Sequence, residues 1–196
     1  DPWTEIDGER AHAKSKHPIL SDFAVRQAIS LVVDREGVQK YIYGRTGIAT
    51  SNFLNNPQRF VSKNTKFEFN IDKASQVLEA AGWKKGSDGI REKGGKKLKL
   101  VFQTSINGPR QKTQQIIKQS AQKAGIDLEL KSVPASVYFS SDPANPDTYT
   151  KFFADVQMFT TTMPQPDPEV FMNQYVSSEF ATKANKWLGR NSTRYF

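Results

Sequence analysis

Cysteine is absent from this chain, and histidine occurs only twice, as His12 and His17. Without cysteine there are no disulfides, no thiolate zinc sites and no cysteine nucleophile. Both histidines lie in the first twenty residues, so a histidine-based metal or catalytic cluster would have to be built on a polar N-terminal stretch. They stand five positions apart, a poor spacing for one helical face, and no acidic cluster completes a metal site around them. No apolar run approaches the roughly 20 residues that span a bilayer. Neither a signal peptide nor an initiator methionine stands at the start, so the sequence reads as a piece of a longer protein. Phosphate-binding motifs are missing too. G-x-G-x-x-G does not occur, and Gly95-Lys96 has Ile90 where a phosphate loop needs its first glycine and Lys97 where it needs Ser or Thr. A Ser-His-Asp triad would lack a structured histidine. Asp22, Asp34, Asp72 and Asp167 each fall where a helix begins, a position that carboxylates favour by capping and by the helix dipole. This inventory argues against an enzyme and calls for no cofactor and no metal.

What is present is positive charge and clear periodicity. Lys and Arg number 28 against 20 Asp and Glu, a net charge of +8 over 196 residues. The mean hydropathy is −0.62, yet the 37% of hydrophobic residues cluster periodically, enough for one good-sized domain or two small ones. A basic excess suits phosphate contacts, which makes a basic nucleic-acid-binding domain the alternative reading. Lys84, Lys85, Lys93, Lys96, Lys97 and Lys99 crowd one stretch, but Gly86, Gly89, Gly94 and Gly95 share it, and the stretch reads as a solvated hairpin. No aromatic RNA-binding motif, zinc knuckle or helix-turn-helix spacing accompanies those lysines.

Residues 1–20 read as an extended leading segment, with Trp3 a candidate anchor. Ser21 to Val33 reads as a helix capped by Ser21, with Ala24, Ala28, Leu31 and Val32 on one face and Asp22 four residues from Arg26. Asp34 caps a second short helix that Gly44 stops. Residues 45–69 are irregular, and a loop of that length borders a site or wraps a surface. Asn70 to Ala81 is a helix ended by Gly82. Ile90 to Glu92 is a short strand between two turns. Leu98, Leu100 and Phe102 alternate as a half-buried strand, Pro109 to Ala124 forms a helix, and Ile126, Leu128 and Leu130 alternate as another strand. Strand 97–103, helix 109–124 and strand 126–132 make a β-α-β unit, which pairs in parallel through a right-handed crossover. Residues 149–154 read as helical, 156–160 as a third strand, and 169–175 as a short helix after Pro164, Pro166 and Pro168. The fold class is therefore α/β in a mixed α+β sense, a β-α-β core with flanking helices.

Phe23-Ala24-Val25-Arg26-Gln27-Ala28, then Asp34-Arg35 and Gly44, resembles the signature of the family 5 solute-binding proteins of peptide- and nickel-type ABC importers. Asp72, Ala74, Leu78 and Ala81-Gly82-Trp83 are similar to a second segment of that family, and the hairpin 86–95, Ala124-Gly125-Ile126 and Asp167-Pro168 follow in its order, so the resemblance runs from about residue 18 to residue 180. It implies a bilobed protein of periplasmic-binding-protein type II-like fold that traps solute between lobes joined by a hinge. Residues 21–196 resemble its second lobe as a single ligand-binding lobe, stopping at Phe196 before the return to the hinge. The implied partners are a peptide or other small-molecule ligand, the missing first lobe and an ABC permease in the membrane, with no nucleic acid. The implied location is periplasmic or otherwise extracytoplasmic, with lipid anchoring of the full-length protein open. An isolated lobe lacks half the contacts and the closure, so it should bind weakly at best.

Arg26 reads as a structural tie from the first helix to a neighbouring loop, and Trp83 as core. The ligand face belongs at the carboxyl edge of the sheet. That places Gln103, Thr104, Ser105 and Asn107 after one strand, and Phe159, Thr160, Thr161, Thr162 and Met163 after another, as the candidate ligand-binding residues. Peptide binders of the family commonly carry an acidic residue three positions before Asp-Pro, which holds a peptide's α-ammonium. Here that position is Pro164. Three threonine hydroxyls suit a neutral or polyhydroxylated ligand, or an amine held by hydroxyls and carbonyls. Equally, they are ordinary strand residues.

Overall fold

The structure is a computed structural model that describes residues 5–194; Trp3 lies outside the described residues. The chain divides into two compact units. One takes residues up to Pro18, Gln103–Ile106 and the chain from Ser132 onward; the other is Ile19–Phe102 with Asn107–Lys131.

The second of these units begins with α1 (Phe23–Leu31). Its cap is Asp22, not Ser21, whose accepting side chain meets the amide of Ala24 at 3.0 Å. Arg26 does not pair with Asp22; its guanidinium donates to the carbonyls of Leu20 and Ser21, at 2.7 and 3.1 Å, and so ties α1 to the preceding turn. Asp34 caps α2 (Arg35–Val38), which runs on as a single wide π-type turn over Gln39–Tyr43 until Gly44 turns the chain at φ 55. After the irregular 45–69 segment, Asn70 caps α3 (Ile71–Ala80). α1 packs on α3 through Val25, Ala28, Ala74 and Leu78, all fully buried, as the three-to-four-residue spacing requires.

The glycine-rich lysine stretch is a three-stranded antiparallel meander rather than a hairpin. Its strands are β1 (Lys84–Lys85), β2 (Arg91–Lys93) and β3 (Lys96–Lys97). Arg91 is its buried member. The guanidinium donates to the carbonyls of Ala124 and Trp83, at 2.8 and 2.7 Å, and to Glu79 at 2.5 Å. Trp83 is buried, its indole N–H donating to Asp22 at 3.0 Å.

The expected β-α-β unit is present as β4 (Lys99–Ser105), α4 (Gly108–Lys123) and β5 (Asp127–Val133). The amide of Asp127 bonds to Leu98 and that of Ile106 to Val133, so both strands advance in the same direction, as parallel partners do. On α4, Thr113, Ile117 and Ala121 are buried, and buried Gln114 donates to the carbonyl of Phe102 at 2.7 Å. The result is a mixed α/β chain with a parallel strand pair flanked by helices.

The other unit is poorer in regular structure. It holds α5 (Ala135–Tyr138), β6 (Val156–Met158) and α6 (Glu169–Met172), with single 3-10 turns at Asn173–Tyr175 and Ser177–Glu179. β6 joins the sheet in the order β5-β4-β6. The helix expected over 149–154 does not form. Phe152 takes φ 56, outside helical space, and Thr148 and Tyr149 bond back to Tyr138 and Ser140. α5 was not anticipated; at four residues it is too short to show a period. Residues 5–18 form turns closed by the Ile6–Glu9 bridge, with buried Glu9 accepting from the amide of Lys183 and His17 meeting Asp155 at 2.9 Å.

Candidate functional site

β4 ends in polar residues, and the sheet decides what they do. Gln103, Thr104 and Ser105 lie inside the strand rather than in a loop after it, and all three are buried, with Thr104 and Ser105 fully so. A buried hydroxyl or amide needs a partner, because leaving one unmade costs about 1–3 kcal/mol. Thr104 donates to the carbonyl of Met158 at 2.6 Å, which holds the ends of β4 and β6 together. Gln103 donates to the carbonyl of Asp147 at 2.8 Å.

From β6 the chain runs straight into the threonines. Phe159 is half-buried, its ring 5.0 Å from that of Tyr149 and 6.4 Å from that of Tyr138. Tyr138 is fully buried and also stacks on Tyr149 at 5.8 Å, with Phe139 edge-on at 4.9 Å. Burial raises the pKa of the Tyr149 hydroxyl. This aromatic cluster fixes the departure point of the loop. Beyond it Thr160, Thr161 and Thr162 are exposed and Met163 is half-buried. The side chains of Thr161 and Thr162 make no hydrogen bond among the described residues. Pro164 follows, exposed, and Asp167 is spent locally, accepting from the amide of Glu169 at 2.9 Å just before α6.

The structure therefore brings Gln103, Thr104, Ser105 and the stretch from Phe159 to Met163 to neighbouring strand ends of one unit. Asn107 belongs to the other unit, where its side chain caps α4 by accepting from Arg110. A cleft of about 520 Å³ lies elsewhere, lined by residues 33–36, 49–51 and 66–69. Among the described residues, no group of three or more His, Cys, Asp or Glu is placed to hold a metal ion. The lysines that suggested a phosphate patch are largely neutralised. Lys84 pairs with Glu79, Lys93 with Asp22, Lys97 with Asp88 and Lys99 with Asp127.

The sequence model described as "Bacterial extracellular solute-binding proteins, family 5 Middle" matches residues 9–183. The chain belongs to that family. Its members are solute-binding proteins rather than enzymes. Among curated members, the oligopeptide-binding protein AppA of Bacillus subtilis is 32% identical over 124 residues, which cover 60% of this chain and 23% of AppA. The nickel-binding protein NikA of Staphylococcus aureus is 26% identical over 170 residues, covering 86% of this chain and 31% of NikA. Among solved structures, NikZ from Campylobacter jejuni in complex with Ni(L-His) superposes with a TM-score of 0.70 at 26% identity, over 90% of this chain and 34% of NikZ. The chain thus spans about a quarter to a third of the length of these family 5 relatives.

Proposed function

We propose that this chain supplies part of the solute-binding surface of an ABC importer's family 5 protein, and that Thr160, Thr161 and Thr162, flanked by Phe159 and Met163, touch the solute. The observation that carries the reading is the run of exposed hydroxyls issuing directly from a sheet strand whose end is pinned by Thr104 to Met158. Gln103, Thr104 and Ser105 serve it as the buried underpinning. The relatives support a range of small solutes: AppA is named for oligopeptides and NikZ is solved with Ni(L-His). Within that range Pro164 offers no carboxylate to a free α-ammonium. A small polar solute recognised by hydroxyls, whether a blocked peptide, a sugar or an amine, fits this face best.

Residues 21–196 belong, on this proposal, to one lobe of the longer protein, reached through residues 1–20. That lobe closes on the solute with a partner lobe and hands it to a membrane permease on the extracytoplasmic side, free or lipid-anchored. No covalent step is involved. The test is native mass spectrometry of the natural gene product that carries this sequence, followed by T161V/T162V. The expected result is a co-purified small solute whose affinity falls at least ~10-fold in the double variant, the loss of one to two hydrogen bonds. Unchanged affinity, or a solute held entirely by other residues, overturns the assignment of this loop.

A further inference from the structure

The second unit carries a cleft that the reading above does not use. It has a volume of about 520 Å³ and is walled by Val33–Glu36 at the start of α2, by Ala49, Thr50 and Ser51, and by Lys66 to Phe69. The walls are tied in place. The amide of Ala49 donates to Gln39 at 2.5 Å, Ser51 donates to the carbonyl of Thr65 at 2.6 Å, and the amide of Asn52 donates to Thr50 at 3.0 Å.

Arg35 dominates this cleft. Its guanidinium lies over the ring of Phe67, 3.9 Å from the centroid, and its one hydrogen bond is a long contact of 3.4 Å to the carbonyl of Val33. No carboxylate pairs with it among the described residues, although three line the same cleft. Asp34 is committed to the amide of Gly37 at 2.8 Å. Both oxygens of Glu68 are taken, by Asn70 at 2.8 Å and Lys73 at 2.6 Å. Glu36 is exposed to water. Lys66, the second cation of the walls, forms no ion pair among the described residues. A guanidinium stacked on an aromatic ring is rigid, and its unused donors form a planar fork that matches a carboxylate. Burial lowers the pKa of Arg35 from its ordinary value. Phe67 and Phe69 stay about half exposed, at 50% and 45%, and offer apolar faces beside that fork.

We propose that this cleft binds a small carboxylate with an apolar or aromatic body, its carboxylate on Arg35 and its body against Phe67 and Phe69. The site shares no residue with 103–107 or 159–163, so it stands or falls independently of the solute face proposed above. The probe is benzoate, with benzamide as its uncharged counterpart, followed by two-dimensional amide NMR of the chain. Benzoate is expected to move the amides of Arg35, Thr50, Ser51, Phe67 and Phe69 in a saturable way, and benzamide to move them at least ~10-fold less at equal concentration. In R35Q the benzoate dissociation constant is expected to rise at least ~10-fold, and in R35K less, because lysine keeps the charge without the fork. The amide spectrum of each variant reports its fold directly, and the benzoate–benzamide contrast needs no variant. Equal response to both probes, shifts confined to other residues, or unchanged benzoate binding in R35Q each overturns the proposal.

Discussion

Asp22 is the most connected carboxylate of the second unit, and its two oxygens have separate duties. Oδ1 caps α1 through the amide of Ala24, at 3.0 Å. Oδ2 accepts from the indole N–H of Trp83 at 3.0 Å and from the ammonium of Lys93 at 2.8 Å. D22N keeps the cap, since Asn caps as well as Asp does. It also turns an amide NH2 toward two donors, stranding the N–H of a tryptophan that is only 3% exposed. An unmet buried donor costs about 1–3 kcal/mol and the half-exposed Lys93 pair adds about 0–1 kcal/mol, so D22N is expected to cost about 2 kcal/mol. D22A loses the cap as well, another ~1 kcal/mol. The decisive assay is a double-mutant cycle with W83F, which removes the N–H and keeps a ring, read by urea unfolding and far-UV circular dichroism. Once no indole waits for a partner, D22N should cost under ~1 kcal/mol, a coupling of about 1–2 kcal/mol. Additive effects, with coupling below ~0.5 kcal/mol, would refute the assignment of Asp22 as the indole's acceptor. The pH dependence follows with a fixed sign. Lys93 chiefly, then Trp83 and Ala24, hold the Asp22 carboxyl below its ordinary value. The folded state then binds fewer protons, so this stabilisation is present above about pH 4 and is lost as the pH falls below that value. D22N should flatten that acid limb.

Three further outcomes rest on other residues. Gly125 sits at φ +86, and a Cβ there would meet Cγ of buried Arg91 at 2.7 Å, so G125A should cost about 1–3 kcal/mol. Gly108 opens α4 directly before Pro109, whose ring crowds any Cβ on a preceding helical residue, so G108A should gain none of the about 0.4–1 kcal/mol that Gly→Ala gives at a compatible position; urea midpoints of the two variants check both. Burial pushes the Tyr175 hydroxyl up to about 12. A raised folded pKa means that its stabilisation is present below the ordinary tyrosine value near pH 10 and fades as the pH climbs from there to about 12. Unfolding measured across that range should show the loss in the native chain and not in Y175F.

Where a segment's own side chains settled its packing, the structure was legible from residues alone. α1, α3 and α4 announced themselves through apolar spacing and capping residues, and β4 and β5 through alternation that ends in glycine or polar turns. The misreadings share another cause: a polar residue whose partner is remote in sequence. Arg91 stands in a lysine-rich run and looks solvated, yet it is buried because three acceptors, at Glu79, Trp83 and Ala124, converge on it. Gln103, Thr104 and Ser105 look like loop residues because they are polar. They are strand residues because carbonyls 44 and 54 positions further on accept from the first two. Alternation marks one buried face of a strand, and by Gln103 the strand is buried on both. At 149–154, apolar residues imitate a helical stripe, but Thr148 secures the preceding turn to Tyr138 and Ser140, and Phe152 then leaves helical space.

Pro164 bears on how the proposed solute face would discriminate. A carboxylate at position 164 would give an ammonium a charged hydrogen bond of about 1.5–3 kcal/mol; three hydroxyls give about 0.5–1.5 kcal/mol each, a similar sum without a charge. The two arrangements reject different solutes. A buried carboxylate penalises any ligand that cannot neutralise it, whereas a hydroxyl donates or accepts and tolerates both. With Pro164 in place and Asp167 turned to the amide of Glu169, no carboxylate between Phe159 and Pro168 is left to impose that penalty. On the proposed face, selectivity would then come from shape rather than from charge. Shape is what the Tyr138–Tyr149–Phe159 cluster provides, since its packed rings fix where the threonines leave the sheet. A rigid base under neutral donors and acceptors suits a solute recognised along its length better than one seized by an end.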